Sequence, residues 1–210
     1  MWLNQHNHLL RDRHYLDITV IDGDKTLPAV NGTYFVLSLE SELQSPTFSA
    51  KGCYAAMIQQ GTIKGRALAI LMSGIHRNNL RVTSVDPSCP GHLSYIDGCS
   101  NSNLVDPDRS GDPCVNYLYF PMGVDQSFHV HPSERIGCVI AGRGQAEFYD
   151  HNGRLQSVEL NRGDTFVLNR FCRHRFRTND SAMSILAFHP DSDDGPEDQH
   201  NPMKTRTYLR

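Results

Sequence analysis

The chain has 210 residues, with 20 basic and 23 acidic side chains and a formal net charge of −3 at pH 7. Hydrophobic residues make up 39% and charged residues 20%, which excludes a disordered chain and predicts one substantial domain, or one domain with a large extension. No basic stripe is present to neutralise a phosphate backbone, so the composition argues against nucleic acid as a partner.

The N-terminal stretch MWLNQHNHLL is polar and lacks the apolar segment of a signal peptide. No window approaches the roughly 18 consecutive apolar residues that a membrane span requires. We therefore expect a soluble, cytoplasmic protein without a membrane partner. Its six cysteines contain no CxxC pair, which excludes zinc-ribbon and thioredoxin-type spacing and favours reduced thiols.

Short strands separated by turns are predicted along most of the chain. Turn-forming Asp-Gly and Asn-Gly pairs stand at 22–23, 31–32, 97–98 and 152–153. The segments rich in β-branched and aromatic residues are 33–39, 115–120, 145–150, 165–169 and 183–189. This pattern predicts a mainly all-β protein with an antiparallel sandwich or barrel, and Asn152-Gly153 predicts a two-residue hairpin turn.

Two regions leave alternatives open. Residues 50–74 contain good helix formers interrupted by glycines, so one or two short helices, or two strands turning at Gln60-Gly61, are both plausible. After the last strand, residues 190–203 hold five acids and no base, which suits either a solvated tail or a lid over the barrel mouth. We place an N-terminal β-rich extension at 1–92, a barrel at 93–190 and an acidic tail at 191–210.

Two histidines stand one residue apart in the stretch FHVHPSERIGCVIAGRG, which covers residues 128–144. In an extended strand, residues i and i+2 face the same side, so His129 and His131 are expected to point together. A third histidine, His174, opens the strand after residues 165–169, beyond the predicted hairpin. Antiparallel pairing around that hairpin would bring it beside the first pair, and imidazole is a good ligand for iron, zinc, nickel, copper and manganese.

At this point the sequence resembles the cupin superfamily. The first cupin motif, Gly-x5-His-x-His-x3–4-Glu-x6-Gly, matches Gly123, His129, His131 and Gly142. The second, Gly-x5-Pro-x-Gly-x2-His-x3-Asn, matches Gly163 and His174. The resemblance spans about residues 93–190 and implies a cupin or jelly-roll antiparallel β-barrel.

The chain departs from the cupin motifs at three places. Counting back from Gly142 puts Arg135 where the motif has its ligand glutamate, and Glu134 lies one residue earlier, on the opposite strand face unless a bulge intervenes. Asn169-Arg170-Phe171 replaces Pro-x-Gly, and Thr178 replaces the final asparagine. The resemblance therefore implies a metal shell of His129, His131 and His174, with Glu134 as a possible fourth ligand and Arg135 as a substrate anchor.

The resemblance implies one divalent metal ion, with Fe(II) favoured and Zn, Ni or Mn as alternatives. We expect a metal-dependent enzyme acting on a small, carboxylate-bearing molecule, with an Fe(II) dioxygenase favoured. The alternatives are a non-catalytic cupin that binds a small ligand, and a metal-dependent isomerase or lyase. Cupins commonly pair, so a homodimer is expected, and residues 1–92 are either extra strands or a degenerate cupin half without a metal motif.

Overall fold

The computed structural model describes residues 16–77 and 79–192. Within these ranges the chain forms thirteen β-strands and one short 3-10 turn, Ile96–Gly98, and it contains no α-helix. All strand pairings are antiparallel. The prediction of an all-β, jelly-roll type fold is confirmed. No helix in the described part of the chain is long and apolar enough to cross a membrane.

The first part of the chain forms a five-stranded sheet. Its strands are β1 (Leu16–Leu27), β2 (Gly32–Gln44), β3 (Ser49–Ile58), β4 (Gly61–Ser73) and β5 (Arg81–Ser84), in the order β1-β4-β2-β3-β5. Residues 50–74 therefore form strands β3 and β4, and the prediction of short helices in this segment is wrong. Both faces of β3 are buried, so its apolar residues run consecutively instead of alternating and imitate a buried helix.

The second part forms an eight-stranded sheet. Its strands are β6 (Leu93–Ser94), β7 (Ser100–Val105), β8 (Cys114–Phe120), β9 (Arg135–Tyr149), β10 (Leu155–Asn161), β11 (Thr165–Leu168), β12 (His174–Arg177) and β13 (Met183–His189). Strand β9 organises this sheet because its first half pairs with β11 and β13 and its second half with β10 and β12. This arrangement brings β11 and β12 together over a common interior.

The hairpin between β9 and β10 lies where the sequence predicts it, but its turn is longer than two residues. The backbone N–H of Asp150 donates to the Arg154 carbonyl at 2.9 Å, so residues 151–153 form the loop. The Asp150 carboxylate accepts hydrogen bonds from the backbone N–H groups of Asn152 and Arg154, each at 2.9 Å. This aspartate stabilises the wider loop in place of the predicted tight turn.

The two sheets share one hydrophobic core. The rings of Phe35 on β2 and Phe188 on β13 have centroids 4.8 Å apart, and both side chains are fully buried. A second apolar cluster lies within the eight-stranded sheet, and a third covers the other face of the five-stranded sheet. The assignment of residues 1–92 to extra strands or a degenerate cupin half stays a prediction. Residues 1–15 and the acidic tail beyond residue 192 lie outside the described residues.

Candidate metal centre

Three histidines converge at one end of the eight-stranded sheet. The backbones of His129 and His174 form an isolated bridge, with N–H to O distances of 3.0 and 2.9 Å in the two directions. The segment around His129 and His131 does not form a regular strand, so the predicted strand is wrong. The two histidine side chains nevertheless face the same side, as expected. The ring centroids lie between 4.5 and 5.2 Å apart, and the candidate ligand nitrogens all lie within 4.8 Å of one another.

Hydrogen bonds set the tautomers of two of these rings. Nδ1 of His129 lies 2.9 Å from the Ser127 carbonyl, and Nδ1 of His174 lies 2.8 Å from the Cys172 carbonyl. A carbonyl only accepts, so each Nδ1 carries the proton and each Nε2 keeps its lone pair. Nε2 of His174 is buried and makes no hydrogen bond. A buried lone pair beside two other imidazoles is the arrangement that a divalent metal ion satisfies.

The histidines form one wall of a cavity that is partly open to solvent. Apolar side chains from four strands form much of the rest: Leu118, Phe120, Phe166, Leu168, Phe176 and Ala187. On β8, Asn116, Leu118 and Phe120 face the cavity, whereas Tyr117 packs in the core between the sheets. The alternation of β8 thus separates a wall of the site from the core.

Burial keeps His131 and His174 neutral. It lowers the pKa of His131 to about 3, with further lowering by Arg135, His174 and His129. Burial likewise lowers the pKa of His174 to about 4, although the hydrogen bond to the Cys172 carbonyl raises this pKa. Both rings are therefore unprotonated at pH 7, which is the state that a metal ligand requires.

The metal-free protein should lose stability in mild acid because of His174. The unfolded chain protonates this histidine near pH 6.5, whereas the folded chain does so only near pH 4. The free energy of unfolding should therefore fall as the pH drops from 6.5 towards 4, by up to about 1.4 kcal/mol per pH unit. Urea denaturation of metal-free wild type and His174→Asn at pH 7, 6, 5 and 4 measures this contribution. Identical pH profiles for the two proteins would contradict it.

Arg135 lines the cavity with the three histidines and is 4% exposed. One terminal nitrogen of its guanidinium donates to the Ser133 hydroxyl at 2.6 Å and to the carbonyls of Ser133 and Glu134 at 3.2 and 3.1 Å. Glu134 is also buried, but it neither lines the cavity nor belongs to the histidine cluster. The structure thus brings Arg135, and not Glu134, to the site.

Gly137 follows two residues after Arg135 on the same face of β9. A Cβ atom here would lie 2.5 Å from Cζ of Phe166, so the missing side chain makes room for a ring of the cavity wall. The close neighbour of Gly137 is therefore a side chain. Cys138, on the other face, is fully buried in the core, and burial raises the pKa of its thiol, as expected for a structural cysteine.

His189 lines the cavity two residues after Ala187 on β13, and the sequence analysis did not single it out. Burial, followed by the nearby Arg135 and His131, lowers its pKa well below the ordinary value. The alternation of β13 would have placed it inside once Ala187 was known to face the cavity. Tyr95, Asn101 and Gln126 also line the cavity, and no motif marked them.

The turn before His174 has a left-handed residue at the position where the cupin motif has glycine. Phe171 occupies the glycine position and has a φ of 58°, in the left-handed region that glycine favours. Its backbone N–H donates to the His131 carbonyl at 2.7 Å, and its side chain is 64% exposed. The hydrogen bond ties the turn to the histidine pair and holds this strained conformation in place.

Comparison with known proteins identifies the fold. No family model and no curated protein matches the sequence. Among solved structures, a cupin 2 conserved barrel domain protein from Leptotrichia buccalis is 14% identical, with a TM-score of 0.58 over 85% of each chain. Salicylate 1,2-dioxygenase from Pseudoaminobacter salicylatoxidans is 11% identical, with a TM-score of 0.61 over 83% of this chain and 69% of the other.

A third similar structure is oxalate decarboxylase from Bacillus subtilis, described with Mn(II) centres. It is 8% identical, with a TM-score of 0.55 over 91% of this chain and 72% of the other. At these identities the likeness concerns the arrangement of strands and not the activity. The strand order, the three converging histidines and these likenesses together show that the chain has the cupin fold.

Proposed function

We propose that the protein is a metal-dependent enzyme that acts on a small, carboxylate-bearing molecule. The observation that carries this proposal is the convergence of three imidazoles with one buried guanidinium in a single cavity. His129, His131 and His174 would hold the metal ion, and Arg135 would bind the carboxylate. The remaining, mostly apolar wall would enclose the body of the substrate.

The charge of the cavity favours an anionic substrate. Among the described residues that line it, Arg135 is the only one with a permanent charge, and none is an acid. A guanidinium with one nitrogen already fixed by three acceptors has a defined orientation, which suits a planar carboxylate. The names of the two similar enzymes, which mention oxalate and salicylate, agree with a carboxylate substrate.

The histidine set suits a metal that performs chemistry. Three protein ligands leave coordination positions open, and a bound Fe(II) ion would supply oxygen activation there, whereas Zn, Ni or Mn could act as a Lewis acid. We favour Fe(II) and a dioxygenase reaction, with an isomerase or lyase as the alternative. The chain itself keeps His131 and His174 neutral through burial and orients the rings of His129 and His174 through backbone carbonyls.

Metal analysis and oxygen consumption test this function. Untagged protein should contain one metal ion per chain, measured by inductively coupled plasma mass spectrometry. After loading with Fe(II), a panel of small carboxylates is screened with an oxygen electrode and, in parallel, for anaerobic turnover. Oxygen uptake supports a dioxygenase and anaerobic turnover an isomerase or lyase. Carboxylate binding without turnover in either screen would contradict an enzyme and favour a binding protein.

Replacing Arg135 tests whether this residue binds the carboxylate of the substrate. Arg135→Met should leave the metal content unchanged because the residue is not a ligand, but it should weaken carboxylate binding about 100-fold through loss of a charge-assisted contact. Isothermal titration of the zinc-loaded protein with oxalate measures the effect. Arg154→Met, an exposed arginine on the hairpin loop, serves as the control. Unchanged oxalate affinity in Arg135→Met would exclude the anchor.

A further inference from the structure

Arg135 and His189 lie at the same edge of the cavity. Strands β9 and β13 are antiparallel, and Phe188 pairs with Ile136, so the next residue of β13, His189, is set across from Arg135. Both side chains line the cavity. Ala187, the preceding cavity-facing residue of β13, has only a methyl group, so the space next to His189 is not filled by its own strand.

The imidazole of His189 has unused hydrogen-bonding capacity. Its ring nitrogens make no hydrogen bond to any other residue in the described part of the chain, although the ring is largely enclosed by protein. A neutral imidazole carries one N–H donor and one lone pair. Because His189 lines the cavity, its ring is available to a ligand that enters the cavity.

The surroundings of His189 determine its charge state. The groups that act on it are the guanidinium of Arg135 and the ring of His131, and together with burial they lower its pKa. His189 is therefore uncharged at pH 7 and acts as a donor of one N–H, not as a second cation. The pair formed by Arg135 and His189 offers N–H donors from two sides, which matches the two oxygens of a planar carboxylate better than the tetrahedral oxygens of phosphate.

Arg135 is held in a fixed orientation beside this imidazole. The Ser133 hydroxyl that accepts its hydrogen bond also donates to the Asp191 carbonyl at 2.8 Å, and Ser133 is 3% exposed. A buried serine bridging two strand ends leaves the guanidinium little freedom to move. Pre-organised donors bind an anion without the entropic cost of ordering them.

We propose that Arg135 and His189 together form the carboxylate subsite, in which the guanidinium donates to one carboxylate oxygen and the His189 N–H donates to the other. This inference rests on the proposed function, which requires the anchor but not the histidine. It makes His189 a specificity-determining residue that touches the substrate and does not bind the metal.

The experiment measures ligand affinity by isothermal titration calorimetry at pH 7 with zinc-loaded protein. The probes are oxalate, glycolate, benzoate and inorganic phosphate. Wild type should bind at least one carboxylate more tightly than phosphate. His189→Leu should weaken that carboxylate at least 10-fold, and His189→Gln, whose amide N–H can replace the donor, should stay within about 3-fold of wild type. His151→Gln, an exposed histidine on the hairpin loop, is the matched control and should bind as wild type does.

A second readout separates contact with the ligand from a structural role. In protein labelled with 13C at the histidine Cε1 position, the His189 resonance should shift on addition of the carboxylate, while the His151 resonance should not. Metal content and melting temperature of each variant are measured alongside. A purely structural histidine would lower the melting temperature without giving a ligand-dependent shift.

The outcomes distinguish this inference from the proposed function. Wild-type affinity in His189→Leu, with weakened binding in Arg135→Met, would overturn the subsite and leave the proposed function standing. Phosphate binding at least as tight as that of every carboxylate would also overturn the subsite, because two donors arranged for a planar carboxylate would not favour a tetrahedral anion. If wild type binds none of the carboxylates, the subsite and the carboxylate-bearing substrate both fail.

Discussion

Replacing His174 by alanine is expected to abolish metal binding while the protein stays folded. His174 is the most buried of the three histidines, at 1% exposure, and its Nε2 has no other partner. Loss of a partner that merely orients a ligand typically costs 10- to 100-fold in metal affinity, so loss of the ligand itself should cost roughly 1000-fold. The fold should survive because the backbone bridge to His129 does not involve the side chain.

Zinc titration with a competing chelator measures this effect, and circular dichroism monitors the fold. His151→Ala, which removes a histidine outside the cavity, should bind zinc as tightly as wild type. His131→Ala provides a second test because His131 is less buried than His174 and its removal leaves a smaller void. Zinc affinity within 10-fold of wild type in both cavity variants would show that the three rings do not form one site.

Replacing Gly142 by alanine should be the most destabilising single change of a glycine in β9. Gly142 has a φ of 70° and pairs with Met183 next to the irregularity between β9 and β13. A Cβ atom at this position would overlap the carbonyl oxygen of Ala182. The substitution therefore adds a backbone clash to the cost of a left-handed alanine, and we expect a loss of at least about 3 kcal/mol in unfolding free energy.

Gly153 provides the matched control for this prediction. It has a φ of 72°, almost the same as Gly142, but no atom lies within 4 Å of the Cβ position. Gly153→Ala should therefore cost only the conformational term, about 1 kcal/mol. Urea denaturation of both variants gives the comparison. Equal losses would show that backbone conformation alone, and not the contact with Ala182, explains the motif glycine.

The three converging histidines were predictable from the sequence because their spacing follows from local geometry. Alternation places His129 and His131 on one side whether or not the segment is a regular strand, and a bridge of two backbone hydrogen bonds then brings His174 beside them. The hairpin was predictable for the same reason, although its loop is longer than Asn152-Gly153 alone indicated.

The rest of the site depends on which face of each strand lies inward, and the sequence does not specify this. Asn116 and Tyr117 are adjacent, and only the packing of β8 decides that Asn116 faces the cavity. His189 was not identified for the same reason, because the inward face of β13 was unknown. The helix alternative for residues 50–74 failed for a related reason, because burial of both faces of β3 removes the alternation that marks a strand.

The central claim is that His129, His131 and His174 bind one metal ion together. X-ray absorption spectroscopy of the wild-type protein, loaded with one equivalent of zinc, tests it most directly because it identifies the ligands of the ion itself. The account predicts three imidazole nitrogens, with oxygen donors in the remaining positions and no sulfur. A shell with one imidazole or none, or with cysteine sulfur, would contradict it.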